Sequence, residues 1–150
     1  MHFQSVAGVD RHRMFVYRGS RGAVVASMVA TNGLSLSGVI LKSGVYDFVE
    51  WLRSRPWYDG IKLTMIWELG WLSEEKLKER SAVYSADKIK APVLIIHGSH
   101  DDRAPLDIAE KFASKINGAG GNAKLIKVES EHIIPMPQVV GYMDEFMKLH

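Results

Sequence analysis

Three short stretches carry side chains that could perform covalent chemistry together. The first is Arg18-Gly19-Ser20-Arg21-Gly22-Ala23. A serine used as a nucleophile needs its hydroxyl lifted clear of competing hydrogen bonds. A sharp strand-to-helix turn does this, and it needs small neighbours because the two backbones crowd there. Gly19, Gly22 and Ala23 meet that need, whereas Arg18 stands where the pattern G-x-S-x-G has a small residue. A helix opening at Arg21 would aim N–H groups and a positive dipole end at a developing oxyanion, so the Arg21 N–H is a candidate donor. Read by itself, the stretch is equally a glycine-rich turn with an incidental serine.

The second stretch is His97-Gly98-Ser99-His100-Asp101-Asp102-Arg103-Ala104-Pro105, which follows an apolar run. A carboxylate just past a strand lies on the sheet edge where open α/β sheets bind ligands. One of the two aspartates is expected to cap the helix that follows, most simply Asp102. The third is His132 in Glu129-Ser130-Glu131-His132, shortly before Pro135. A loop histidine there can reach a serine on a neighbouring loop. His97 reads as a half-buried structural residue, His100 as a loop residue, and His2, His12 and His150 as surface residues.

These residues need elements to hold them. Four short apolar runs predict buried strands: Met14–Tyr17, Gly38–Leu41, Val93–His97 and Lys124–Val128. The first three are nearly continuous in apolar residues, as parallel strands covered on both faces are. Lys124 and Lys127 in the fourth suit a sheet edge. Helices are expected at Arg21–Thr31, Ser73–Arg80, Leu106–Ile116 and Pro137–Leu149. The last should bury Val140, Met143, Phe146 and Met147. Strands alternating with helices predict a three-layer α/β/α domain with a mainly parallel sheet and right-handed crossovers. The whole of 1–150 is expected to be one domain, with an aromatic-rich helical insertion over about 48–80. There Trp57, Trp67 and Trp71 are candidates to wall an apolar substrate pocket.

Ser20, Asp101 and His132 each follow a different predicted strand, in the chain order Ser…Asp…His expected of α/β-hydrolases. The matching stretches are RMFVYRGSRGA, VILKSGVYDF, IKAPVLIIHGSHDDRAP and the region around SEH. On these the chain resembles the C-terminal half of a prolyl-oligopeptidase-like α/β-hydrolase, a group of peptidases and small esterases. The resemblance implies that Asp101, the first aspartate of HGxxDxxxP, is the acid. It departs from the family's G-x-S-x-G-G at Arg18 and Ala23. The family's strands ahead of the nucleophile have no counterpart in this sequence, nor has the loop that donates the second oxyanion N–H. The expected fold is therefore an α/β-hydrolase truncated at its N-terminal side, with Met14–Tyr17 at an open apolar edge. Such an edge predicts a homodimer or higher homo-oligomer.

Bulk properties narrow the classes. The chain has 150 residues, 47% hydrophobic and 24% charged, with a net charge of +2 and no dense basic run. Neither nucleic-acid nor membrane binding is expected. Cysteine is absent, which excludes disulfides and thiolate chemistry. No His/Asp cluster has metal-ligand spacing, and no cofactor is expected. Met1–Ser5 lacks the start of a secretory signal, and a soluble cytoplasmic protein is expected. The functional expectation is a serine hydrolase, a carboxylesterase acting on short-chain or aryl esters through an acyl-enzyme. Two alternatives stand beside it: a non-catalytic binding module and a serine peptidase.

Overall fold

The computed structural model describes residues 10, 12–56, 59–69 and 73–150. Among them run β1 (Phe15–Gly19), α1 (Arg21–Ala30), β2 (Gly38–Lys42), α2 (Phe48–Ser54), α3 (Gly60–Leu69) and α4 (Glu74–Glu79). A 3-10 segment (Ala82–Lys88), β3 (Val93–Gly98), α5 (Leu106–Gly118), β4 (Ala123–Val128) and α6 (Met136–Leu149) follow. The strands form one parallel sheet in the order β1-β2-β3-β4. This is the α/β architecture expected from the alternation of strands and helices.

The two sheet faces bury different sets. Val39 and Leu41 of β2 and Val93 and Ile95 of β3 pack with α1 and α5, through Ala23, Ala26, Ala30, Ile108, Phe112 and Ile116. Ile40, Leu94 and Ile96 turn to the opposite face and meet Ile134, Val139 and Phe146. This alternation is the period of two that side chains have along a strand. Every residue of β3 is buried, whereas β1 and β4, the outer strands, are only partly covered. Double-sided burial therefore holds for β2 and β3 and not for β1. In α6 the buried residues are Val139 and Phe146, while Val140 is 53% exposed. The apolar pair Val139-Val140 left the stripe ambiguous by one residue, and packing on Ile40, Leu94 and Ile96 selects Val139.

Between β2 and β3 the chain makes α2, α3, α4 and the 3-10 segment. Asp47 starts α2 by accepting the Glu50 N–H at 3.1 Å, and its buried carboxylate meets Lys111 of α5 at 2.8 Å. Burial alone would raise its pKa, but the hydrogen bonds from Lys111 and the Glu50 N–H hold it below the ordinary carboxylate range. Ser73 caps α4 by accepting the Lys76 N–H at 3.3 Å.

The register brings the strand ends level. Gly19 lies opposite Lys42, Lys42 opposite Ile96, and Gly98 opposite Val128. The loops leaving β1, β2, β3 and β4 therefore start along one edge, and two glycines let them pass close together. A Cβ on Gly44 would lie 2.7 Å from the Tyr46 ring and 2.8 Å from the Ala23 methyl. A Cβ on Gly98 would collide with the backbone carbonyls of Ser130 and Glu131, in the loop that carries His132. Gly44→Ala is expected to destabilise the chain by about 1–3 kcal/mol, the usual range for overpacking, as read by urea denaturation. Gly98→Ala should cost more in the same measurement, because its obstacle is backbone rather than a movable side chain.

Candidate active site

Ser20 sits between the last residue of β1 and the first of α1, with φ 51° and ψ −125°. That left-handed φ is strained for a residue with a Cβ, by roughly 1–3 kcal/mol. Two backbone bonds impose it. The Ser20 N–H donates to the Lys42 carbonyl at 2.8 Å, and its carbonyl accepts the Ala23 N–H at 2.9 Å. The chain must turn at once from strand to helix, and the hydroxyl is left standing at the sheet edge. Ala23, which replaces a family glycine, is fully buried and fits because Gly44 opposite it has no side chain.

Asp101 follows β3 and is held by its own loop. Its Oδ1 accepts the Arg103 N–H at 3.0 Å and the Ala104 N–H at 2.8 Å. Asp102 was expected to cap α5, but the N-cap position is Pro105 and has no side-chain cap. The loop turns inward at Asp101 instead, leaving Asp102 exposed.

His132 joins the two. Its Nδ1 lies 2.8 Å from Asp101 Oδ2 and 3.0 Å from Oδ1, and its Nε2 lies 2.9 Å from Ser20 Oγ. An ionised carboxylate only accepts, so Nδ1 carries the proton and Nε2 is left to accept the Ser20 O–H. The carboxylate is fully buried and the imidazole nearly so, at 0% and 14% exposure. The structure thus brings together the three residues that the sequence placed on separate strand ends. Arg21 is the first residue of α1, where an N–H has no helical acceptor and is open to an oxyanion.

Further residues support the arrangement. Ser43, also at positive φ (49°), donates its N–H to the Ile96 carbonyl and its hydroxyl to the His132 carbonyl, both at 3.0 Å. Its one sequence signal is its place between the end of β2 and Gly44. Trp51 on α2 is 4% exposed and donates its indole N–H to the Arg103 carbonyl at 2.7 Å. Arg55 reaches the same carbonyl at 3.0 Å. The insertion therefore braces the acid loop from outside. His97 is not half-buried but has 0% exposure.

The three candidate pocket tryptophans fare differently. Trp57 and Trp71 lie outside the described residues. Trp67 on α3 is 89% exposed. Helix α3 is fastened through Lys62, whose Nζ donates to the Leu52 and Arg55 carbonyls. Trp67 lies five residues on, about 140° round the helix from that anchor. Among the described residues no group of three His, Asp or Glu side chains could hold a metal ion. Among the same residues no helix is long and apolar enough to cross a membrane.

Known proteins share this arrangement of strands. The chain is 26% identical over 132 residues to the uncharacterized peptidase YuxL of Bacillus subtilis (strain 168), covering 79% of this chain and 18% of that protein. A puromycin-hydrolyzing peptidase of Mycobacterium tuberculosis superposes with a TM-score of 0.81 at 22% identity, over 93% of this chain and 22% of the other. The acylaminoacyl peptidase of Pyrococcus horikoshii gives 0.71 at 22% identity, over 83% and 20%. This chain thus spans about a fifth of these relatives' length. The model of the prolyl oligopeptidase family matches residues 2–147, and the chain belongs to that family of serine hydrolases with an α/β-hydrolase fold.

Proposed function

We propose that the chain carries out acyl transfer to water, with Ser20 as nucleophile, His132 as general base and then general acid, and Asp101 as the group that orients His132. The observation that supports this reading is the pair of contacts at His132, 2.9 Å to Ser20 Oγ and 2.8 Å to Asp101 Oδ2. As Ser20 Oγ attacks a carbonyl carbon, its proton passes to His132 Nε2, and the buried carboxylate stabilises the imidazolium. The carbonyl oxygen becomes an oxyanion beside the Arg21 N–H. His132 then protonates the leaving group, and a water activated by the same nitrogen releases the acyl group from Ser20.

The substrate class is drawn from the relatives. One is described as a peptidase, another as an acylaminoacyl peptidase and a third as a puromycin-hydrolyzing peptidase. We therefore read the physiological bond as an amide of an amino acid or short peptide, in place of the short-chain or aryl carboxylic ester expected at the outset. Activated esters serve as reporters, because they ask less of leaving-group protonation.

A fluorophosphonate probe should label the wild-type chain at Ser20 and leave Ser20→Ala and His132→Ala unlabelled. Hydrolysis of an aminoacyl p-nitroanilide and of p-nitrophenyl butyrate should fall by about 10⁴-fold or more in both variants. A wild-type chain that folds yet takes no label would sink the hydrolase reading and leave a binding module. Turnover of the butyrate without the anilide would return the substrate to the ester class.

A further inference from the structure

We propose that His97 is a positioning residue for this site, a neutral imidazole that holds the acid loop so that Asp101 presents its carboxylate to His132. The proposal rests on the reading of Ser20, His132 and Asp101 given above.

His97 occupies a place where an apolar side chain is the ordinary choice. It lies on β3, a strand buried along its whole length, and shares a sheet face with Val93 and Ile95. An imidazole buried there costs free energy unless its polar atoms are engaged. One of them is. His97 Nε2 lies 2.7 Å from the Ala104 carbonyl oxygen, which can only accept, so Nε2 carries the proton. The bare Nδ1 has no hydrogen-bond partner among the described residues. A second proton would have to sit on this buried and partnerless nitrogen, and burial pushes the pKa of His97 below its ordinary value.

The peptide group between Arg103 and Ala104 and the carbonyl that follows it link this ring to the acid. The Ala104 N–H donates to Asp101 Oδ1 at 2.8 Å, and the Ala104 carbonyl accepts from His97. Residue 104 is therefore gripped at both polar atoms, with the carboxylate on one side and the imidazole on the other. His97 Nε2 is also 3.5 Å from Asp101 Oδ2, the oxygen that lies 2.8 Å from His132 Nδ1. At that distance its N–H acts on the carboxylate as a dipole rather than through a good hydrogen bond. Neutrality is what makes this arrangement workable. A cationic His97 would compete with the His132 imidazolium for one carboxylate, whereas a neutral one restrains the loop and leaves the charge to His132.

The test uses the full chain as wild type, His97→Leu and His97→Gln. Leucine fills the space without a donor, and the glutamine amide can restore an N–H towards Ala104. In His97→Leu we expect kcat on the p-nitrophenyl ester to fall about ten- to a hundredfold with KM little changed, the cost of a slightly misplaced catalytic group. His97→Gln should recover most of that loss. The downfield N–H proton resonance of the His132–Asp101 pair should shift or broaden in His97→Leu and return in His97→Gln. This resonance is read without any turnover, so it tests the positioning role even if the wild type proves inactive. Losses of kcat in both variants that track only their unfolding midpoints, with the resonance unmoved, would overturn the proposal.

A separate consequence concerns stability. The titratable groups facing His97 are Asp101 and His132. Because the folded-state pKa of His97 lies below its unfolded value of 6.5, the unfolded chain binds the extra proton first. Its contribution is complete above pH 6.5 and declines as the pH falls below that value. Urea denaturation across that range should show a flatter acid decline in His97→Gln than in the wild type.

Discussion

His132 has to meet a serine delivered by β1 and a carboxylate delivered by β3 at the same moment, and most of the local structure is arranged around that demand. The contacts span 2.8 to 3.0 Å and join chain positions 112 and 31 residues apart. Local structure cannot bring such distant groups together. A parallel sheet can, because its strands all end on one edge and their spacing is set by backbone hydrogen bonds. With Gly19 opposite Lys42, Lys42 opposite Ile96 and Gly98 opposite Val128, the loops after β1, β3 and β4 start level with one another.

Several features that are unfavourable in isolation follow from this convergence. Ser20 and Ser43 both adopt left-handed φ values, and both donate backbone N–H groups to the neighbouring strand's carbonyl. The sheet ladder is thus continued past the strand ends, at the cost of local strain. Gly98 stands where any side chain would strike the carbonyls of the histidine loop. The buried carboxylate of Asp101 is tolerable because its oxygens meet two backbone N–H groups and an imidazole. Around it the carbonyls of residues 103 and 104 accept from Trp51, Arg55 and His97. The acid loop is therefore held from the sheet side and from the insertion side at once.

The departures from the family pattern read differently once the neighbours are known. Ala23 in place of glycine is compensated across the interface by Gly44, a pairing that no inspection of the nucleophile turn alone could reveal. Arg18 is exposed, with its aliphatic part lying across Gly22 and its guanidinium on the Tyr17 carbonyl. The turn admits a long side chain there because Gly22 beneath it has no side chain to collide with the Arg18 methylenes.

The amino-acid sequence by itself determined the alternation of four strands with helices, the nucleophile turn, and the places of Ser20, Asp101 and His132 just past three strands. These are local signals: runs of apolar residues, glycine spacing, and loop residues next to strand ends. It also favoured Asp101 over Asp102, through the resemblance of HGSHDDRAP to a family motif. The tertiary structure alone decided that Val139 and not Val140 is the buried valine of α6, that Trp51 donates to the loop carrying Asp101, and that Ser43 and His97 donate to carbonyls of the loops around the site. Apart from the His97–Ala104 bond, which spans seven residues, each of these depends on which atoms from distant segments come within hydrogen-bond or packing distance. One-dimensional periodicity carries no record of that, because a tryptophan, a serine or a histidine looks the same in the sequence whether its partner is solvent, substrate or a carbonyl fifty residues away.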